Sequence, residues 1–274
     1  MVINNYKLIV FDLDGTLLTP EFELLPGTVE AVGKLRQLGL RVTVATGRSY
    51  KSAQPFLETL EIDEPMVFSN GSVFDNPDTG EREVICGIPL ETALIVAMIQ
   101  SGFNISLKMH FADGRILKSN ATPWPDEGKH FEVGQIVENL AAELDDDPIK
   151  VVFFGDQEEL DRFETKLADI LGKKSQVRLF RSHTSYVEMT NKRVSKGDAV
   201  QLLIDKLGIL PEEVIAVGDQ ENDFEMIRDL GLGVQAGNHK ALSEVSDHQI
   251  AHPEKQGIEE LYEWLLDRYG REVS

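Results

Sequence analysis

The stretch Leu8-Ile9-Val10-Phe11-Asp12-Leu13-Asp14-Gly15-Thr16-Leu17-Leu18 begins as a short apolar run and passes into two carboxylates one residue apart. Along an extended chain alternate residues point to the same side, so Asp12 and Asp14 bring like charges together at the end of a buried strand. Such crowding is tolerable when a cation sits beside the pair or one member keeps a proton. Gly15 lets the chain turn sharply, and Thr16 and Leu17 lead away. The pattern suits a phosphoryl-transfer nucleophile beside its own acid/base. Asp-x-Asp alone also marks turns, Asx caps and metal ligands, so the rest of the chain must supply partners.

The chain has 274 residues, 42% hydrophobic and 27% charged, which describes an ordinary globular protein with room for about two domains. No apolar run approaches the length of a membrane span. Met1 to Lys7 carries neither a basic region nor a cleavable apolar core, which argues against secretion. Cys86 is the only cysteine, so no internal disulfide forms; a small buried hydrophobe in a reducing cytoplasm is expected. The 27 basic and 47 acidic residues leave a net charge of −20. That surface repels nucleic acid and anionic lipid, and it also repels a phosphate ester. A phosphate site here must be made locally positive by a metal, a few Lys or Arg, or helix N-termini.

Hydrophobic periodicity divides the chain. Tyr6 to Phe11, Leu40 to Ala45 and Pro65 to Phe68 read as strands, with helices over Pro26 to Leu38 and Tyr50 to Leu60, which implies a parallel sheet covered on both faces. Residues 82–192 change character. Ile105 to Lys118 reads as a hairpin turning at Asp113-Gly114, followed by a strand over Ile149 to Phe154, a helix over Glu158 to Leu171, and strands Val177 to Phe180 and Tyr186 to Met189. Alternation returns with a helix over Asp198 to Leu207, strand Val214 to Val217, helix Glu221 to Leu230, strand Leu232 to Val234, a helix near Asn238 to Ser246 and a last helix from Ile258 to Tyr269. One α/β core, 1–81 and 193–274, interrupted by an α+β domain at 82–192, is expected.

Three further pieces fall where an open α/β sheet gathers its chemistry, at the carboxyl ends of strands. Ala45-Thr46-Gly47-Arg48 offers a hydroxyl and a backbone N–H beside a helix start, suited to a phosphoryl oxygen, although Thr-Gly is also a common strand-to-helix turn. Arg193-Val194-Ser195-Lys196-Gly197 offers a lysine that could neutralise Asp12 and a bound phosphoryl group. Val217-Gly218-Asp219-Gln220-Glu221-Asn222-Asp223 sets two carboxylates four apart across a turn and the first turn of a helix. Oxygen ligands with room for water and phosphate suit Mg²⁺ better than zinc. A second Gly-Asp-Gln-Glu, at Gly155 to Glu158, has Leu160 where Asp223 stands; Asp156 is read as a helix cap. The six histidines show no metal spacing.

In this order and setting the four pieces resemble the haloacid dehalogenase (HAD) superfamily of phosphotransferases. The resemblance covers nearly the whole chain. The insertion between Thr46 and Lys196, Ser69-Asn70-Gly71 after the third strand and Val234-Gln235-Ala236-Gly237-Asn238 resemble the Cof-type, class IIB sugar-phosphatase branch. His239 and Gln220 depart mildly from that branch, at positions that are neither metal nor nucleophile. The resemblance implies a Rossmann-like three-layer α/β core with a mainly parallel sheet and an inserted cap domain of the C2B type. It further implies Asp12 as nucleophile, Asp14 as acid/base, and Thr46 and Lys196 as charge stabilisers. Mg²⁺ would lie at Asp12, the Asp14 backbone carbonyl, Asp219 and Asp223. Gly47, Arg48 and Asn222 are candidate substrate contacts, as are Trp124 and the neighbourhood of His183, where ordinary packing competes.

The expected activity is hydrolysis of small phosphorylated metabolites, sugar phosphates above all, by a cytoplasmic monomer or small homo-oligomer with no nucleic-acid or membrane partner. Two alternatives stay open. A phosphosugar mutase would return the phosphoryl group to another hydroxyl. A non-catalytic sugar-phosphate-binding protein would leave Asp14 without a purpose. No strand is followed by Gly-x-Gly-x-x-Gly, which argues against a hydride-transfer enzyme.

Overall fold

The computed structural model describes residues 2–3, 5–77, 79–119, 124, 132–172 and 175–271. It divides into two compact units, residues 1–83 with 195–274, and residues 84–194.

The first unit is built on five parallel strands in the order His248–Ile250, Leu232–Ala236, Val214–Gly218, Leu8–Phe11, Arg41–Val44. Leu8, Ile9, Val10 and Phe11 are all fully buried, as a central parallel strand covered on both faces requires. The chain leaves Leu8–Phe11 toward Arg41–Val44 on one side and later returns to Val214–Gly218 on the other. The order therefore reverses at the carboxyl ends of two adjacent central strands, the switch point where open α/β sheets bind ligands. Pro26–Gln37 begins with its proline at the first helical position, where the missing N–H costs nothing.

Met66–Phe68 differs from the expected third parallel strand. It touches the sheet through one parallel bridge, Ala45 to Val67, and its own ladder runs antiparallel to Val73–Asn76 in a separate three-stranded sheet. The reversal is made by Ser69 and Asn70, both in the left-handed region with φ of 52° and 56°. The expected helix near Asn238 to Ser246 shrinks to Lys240–Ser243, and Glu221 to Leu230 becomes a 3₁₀ turn, Glu221–Asp223, followed by Phe224–Asp229.

The second unit is a six-stranded sheet in the order Val177–His183, Tyr186–Asn191, Lys150–Phe154, Ser106–His110, Ile116–Lys118, Gln135–Ile136, antiparallel except for the last pair. Leu107, Met109, Val151, Phe153, Val187 and Met189 form one face of it. They pack with Val96 of Leu90–Gln100 and Leu160, Phe163 and Leu167 of Gln157–Leu171. Asp156 occupies the N-cap position of Gln157–Leu171, but its side chain makes no capping hydrogen bond. Cys86 is half-buried rather than a core residue. No helix among the described residues is long and apolar enough to cross a membrane.

Candidate active site

Asp12 follows the strand Leu8–Phe11, and its N–H donates to the Val217 carbonyl of the neighbouring strand at 2.9 Å. Asp219 follows that neighbour, Val214–Gly218. The two carboxylates thus leave adjacent parallel strands at the same end. Asp12, Asp219 and Asp223 each offer an oxygen within 4.8 Å of the other two, and all three side chains are buried.

Gly15 makes the approach possible. Its φ is +83°, and a side chain there would collide with the Asp219 carboxylate. Asp14 lies one residue nearer on the same turn, held by an Asp14–Leu18 bridge and by the Gly15 N–H donating to the Leu18 carbonyl at 2.9 Å.

Lys196 is the first residue of the helix Lys196–Leu207, whose N-cap Ser195 accepts from the Asp198 N–H. Its ammonium donates to Asp12 Oδ1 at 2.6 Å and Asp223 Oδ1 at 2.7 Å, with the side chain 1% exposed. Burial pushes Lys196 down, but Asp12 and Asp223 outweigh it and its pKa rises. Burial holds Asp12 well above the usual carboxylate range; Lys196 pulls it down, and Asp223, Asp219 and Asp14 push it further up. Asp219 is pushed up to about 7, first by burial and then by Asp223, against a lowering hydrogen bond from Gln220. One buried cation faces three buried carboxylates, so the cluster is short of positive charge.

A dication fits that shortage. Asp219 Oδ1 is buried with no hydrogen-bond partner, and the donor set is all oxygen, the preference of Mg²⁺ or a similarly hard ion. Asp223 is less open. Its Oδ1 takes Lys196, and its Oδ2 accepts from the Asp219 and Gln220 N–H groups at 3.0 and 3.1 Å.

Thr46 is fully buried after Arg41–Val44, and its hydroxyl accepts from the Arg48 N–H at 3.1 Å. Arg48 places its guanidinium on Asp14. Asn222 donates to Asn70 Oδ1 at 3.0 Å, and Asn70 stands against Gly47, where an added Cβ would lie 2.9 Å from the same oxygen. Asn70 therefore ties the Gly47 turn to the Asn222 turn, a role that sequence reading missed. The sequence offers Asn70 only within Ser69-Asn70-Gly71, a branch feature after the third strand, with no partner attached to it. Gln220 is the other omission: its amide donates to Asp219 Oδ2 at 3.0 Å, so this departure from the branch pattern does touch the metal candidate.

Trp124 is half-buried in the second unit. Its ring centroid lies 5.4 Å from that of Phe154, and the Lys108 ammonium is 4.4 Å from its own. The residues that flank Trp124, and the side chain of His183, lie outside the described residues.

The arrangement matches a known family. Residues 9–261 fit the model of the haloacid dehalogenase-like hydrolases. The chain belongs to that family. It is 31% identical over 278 aligned residues to an HMP-PP phosphatase of Serratia proteamaculans, covering 96% of this chain and 97% of the relative. It is 25% identical to a 5-amino-6-(5-phospho-D-ribitylamino)uracil phosphatase of Bacillus subtilis, covering 92% and 94%. Among solved structures, a HAD subclass IIB sugar phosphatase superposes with a TM-score of 0.80 at 21% identity, covering 94% of this chain and 98% of that one. That likeness shows the mixed α/β fold of this chain.

Proposed function

We propose that this HAD hydrolase is a Mg²⁺-dependent phosphatase of small phosphorylated metabolites, sugar phosphates first among them, that works through an aspartyl-phosphate on Asp12. The observation that carries the reading is the buried Lys196 between Asp12 and Asp223, with the partnerless Asp219 oxygen beside them. A binding protein needs neither that concentration of buried charge nor Asp14 in reach of it.

The Asp12 carboxylate attacks phosphorus while the bond from phosphorus to the ester oxygen breaks, splitting a difficult hydrolysis into two steps. Asp14 gives its proton to the departing oxygen, then takes one from the water that attacks the phospho-aspartate, releasing inorganic phosphate and regenerating Asp12. Lys196, Thr46 and the Gly47 N–H stabilise charge on the transferring group. Arg48 and Asn222 enter through the groups they hold, Asp14 and Asn70. Asp12, the Asp14 backbone carbonyl and Asp219 would hold Mg²⁺, with Asp223 as a further ligand or as support for the others. When bound, the ion supplies the charge that keeps Asp12 ionised and offsets its repulsion from phosphate.

The relatives' names span a sugar phosphatase, an HMP-PP phosphatase and a phospho-ribitylaminouracil phosphatase, which supports the broad class of substrate. Phosphate release from a panel of sugar and nucleotide monophosphates tests the reading, with wild type and Asp12→Asn each assayed in Mg²⁺ and in chelator. Metal-dependent release confined to the wild type is expected. A folded, Mg²⁺-loaded wild type that releases none across the panel contradicts it.

A further inference from the structure

The guanidinium of Arg48 is held on every side. Its Nε donates to Asp14 Oδ1 at 3.0 Å and to Oδ2 at 2.9 Å, and its Nη2 donates to Oδ1 at 2.6 Å. Its Nη1 reaches Ser52 Oγ at 3.3 Å. The rings of Phe22 and Phe56 each lie 5.1 Å from its central carbon, a spacing that favours a cation over an aromatic face. The backbone is fixed as well: the Arg48 N–H donates to Thr46 Oγ1, and its carbonyl accepts from the Ser69 N–H. The Arg48 side chain is only 9% exposed, whereas that of Asp14 is 39% exposed.

Phe22 reaches its place at a conformational cost. Its φ is +61°, unusual for a bulky residue, at the tip of a small hairpin closed by the Leu18–Leu24 bridge. Within that hairpin the Phe22 N–H donates to the Thr19 carbonyl, and the Glu23 N–H donates to the Thr19 hydroxyl. The segment that follows the Asp12–Asp14 turn thus folds back to cover the arginine that grips Asp14.

We propose that Arg48, clamped between Phe22 and Phe56, is a positioning residue for proton transfer: its fork engages both oxygens of Asp14 and fixes the place and plane of that carboxyl group. Nη2 holds Oδ1 and the Nε hydrogen is shared between Oδ1 and Oδ2, so both oxygens are engaged while the Asp14 side chain stays partly exposed. In the first step the proton on the Asp14 carboxyl passes to the ester oxygen as its bond to phosphorus breaks. In the second, the Asp14 carboxylate takes a proton from the attacking water. A planar fork fixes the carboxylate plane, which a lysine ammonium in the same place cannot do.

The inference rests on the phosphatase reading above and makes a demand of its own. A leaving group that departs readily as an anion needs little help from an acid, whereas an alkoxide needs much, because a placed general acid contributes about 10²–10⁴-fold. The test compares kcat/KM, which reports the steps up to phosphorylation of Asp12, for p-nitrophenyl phosphate and for a primary alkyl phosphate such as a hexose 6-phosphate, in wild type, Arg48→Lys and Phe22→Leu, with folding checked by thermal unfolding. Arg48→Lys is expected to lower the alkyl-to-aryl ratio of kcat/KM at least about tenfold, and Phe22→Leu to lower it less, in the same direction. Equal losses on both esters, or a rise in KM alone, overturn the positioning role and leave the phosphatase reading standing. A wild type that hydrolyses neither ester removes both.

Discussion

The tetrapeptide Gly-Asp-Gln-Glu occurs twice, each time at the end of an apolar strand, and the two copies end in opposite circumstances. Gly155 to Glu158 follows Lys150–Phe154, a strand with antiparallel partners on both sides. There Asp156 is exposed, and Leu160, four residues after it, is fully buried in the core of its unit. Gly218 to Glu221 ends a central strand of the parallel sheet, beside the strand that delivers Asp12. There Asp219 is 4% exposed, and the residue four further on is Asp223, joined to Lys196. The glycines differ likewise. A side chain at Gly155 would press on Ile105, and one at Gly218 would press on the Asp223 carboxylate. In a parallel sheet, neighbouring strand ends point the same way and collect their groups at one place, whereas antiparallel neighbours send theirs to opposite edges. Four identical residues acquire chemistry only from where the sheet puts them.

The sharpest way to break this contrast is to neutralise each aspartate. Asp219→Asn should lower Mg²⁺-dependent phosphate release by about 10²-fold or more, because it removes charge from the centre of the cluster. Asp156→Asn should leave it within about twofold. Comparable losses in the two variants would erase the distinction.

Asp223→Leu makes the second copy resemble the first. It strips Lys196 of one carboxylate and the Asp219 and Gln220 N–H groups of their acceptor. Breaking a buried ion pair from one side costs about 3–5 kcal/mol. A clear fall in denaturant midpoint should therefore accompany lost activity, and full stability in the variant would mean that Lys196 needs only Asp12.

The third prediction concerns a half-buried histidine of the antiparallel unit. His110 is pushed down to about 3 from an ordinary value near 6.5, first by burial and then by Lys150 and Lys108. Between those values the unfolded chain binds a proton that the folded chain refuses. The contribution is whole above about pH 6.5 and is lost as pH falls toward 3, at about 1.4 kcal/mol per pKa unit. Urea unfolding of His110→Gln across that range should show a flatter acid limb than wild type, and an unchanged slope would contradict the assignment.

Much of the candidate site was legible because its residues are punctuated by turns and apolar runs that survive in one dimension. Asp12, Asp14, Thr46, Lys196, Asp219 and Asp223 all stand at strand ends or helix starts. Pairings across long separations were not. Arg48 meets Asp14 from 34 positions away, and the Asn222 amide meets Asn70 from 152. Leu90–Gln100 escaped notice because Leu-Glu-Thr-Ala-Leu-Ile-Val-Ala-Met-Ile-Gln is apolar nearly all round and shows no helical stripe. His248–Ile250 is three residues at a sheet edge, too short to announce a period. Asn70-Gly71 signals a turn after Met66–Phe68, but nothing local reveals that the chain beyond it pairs antiparallel with that strand.

The central claim is that Asp12 becomes phosphorylated. Borohydride reduces an acyl phosphate on aspartate to homoserine and leaves free carboxylates alone. The protein would be quenched during turnover of a hexose 6-phosphate with Mg²⁺, treated with borohydride, and its peptides read by mass spectrometry. Homoserine at position 12, absent without substrate and absent in Asp12→Asn, is the predicted result. Phosphate release with an unmodified aspartate at position 12 throughout would contradict the account.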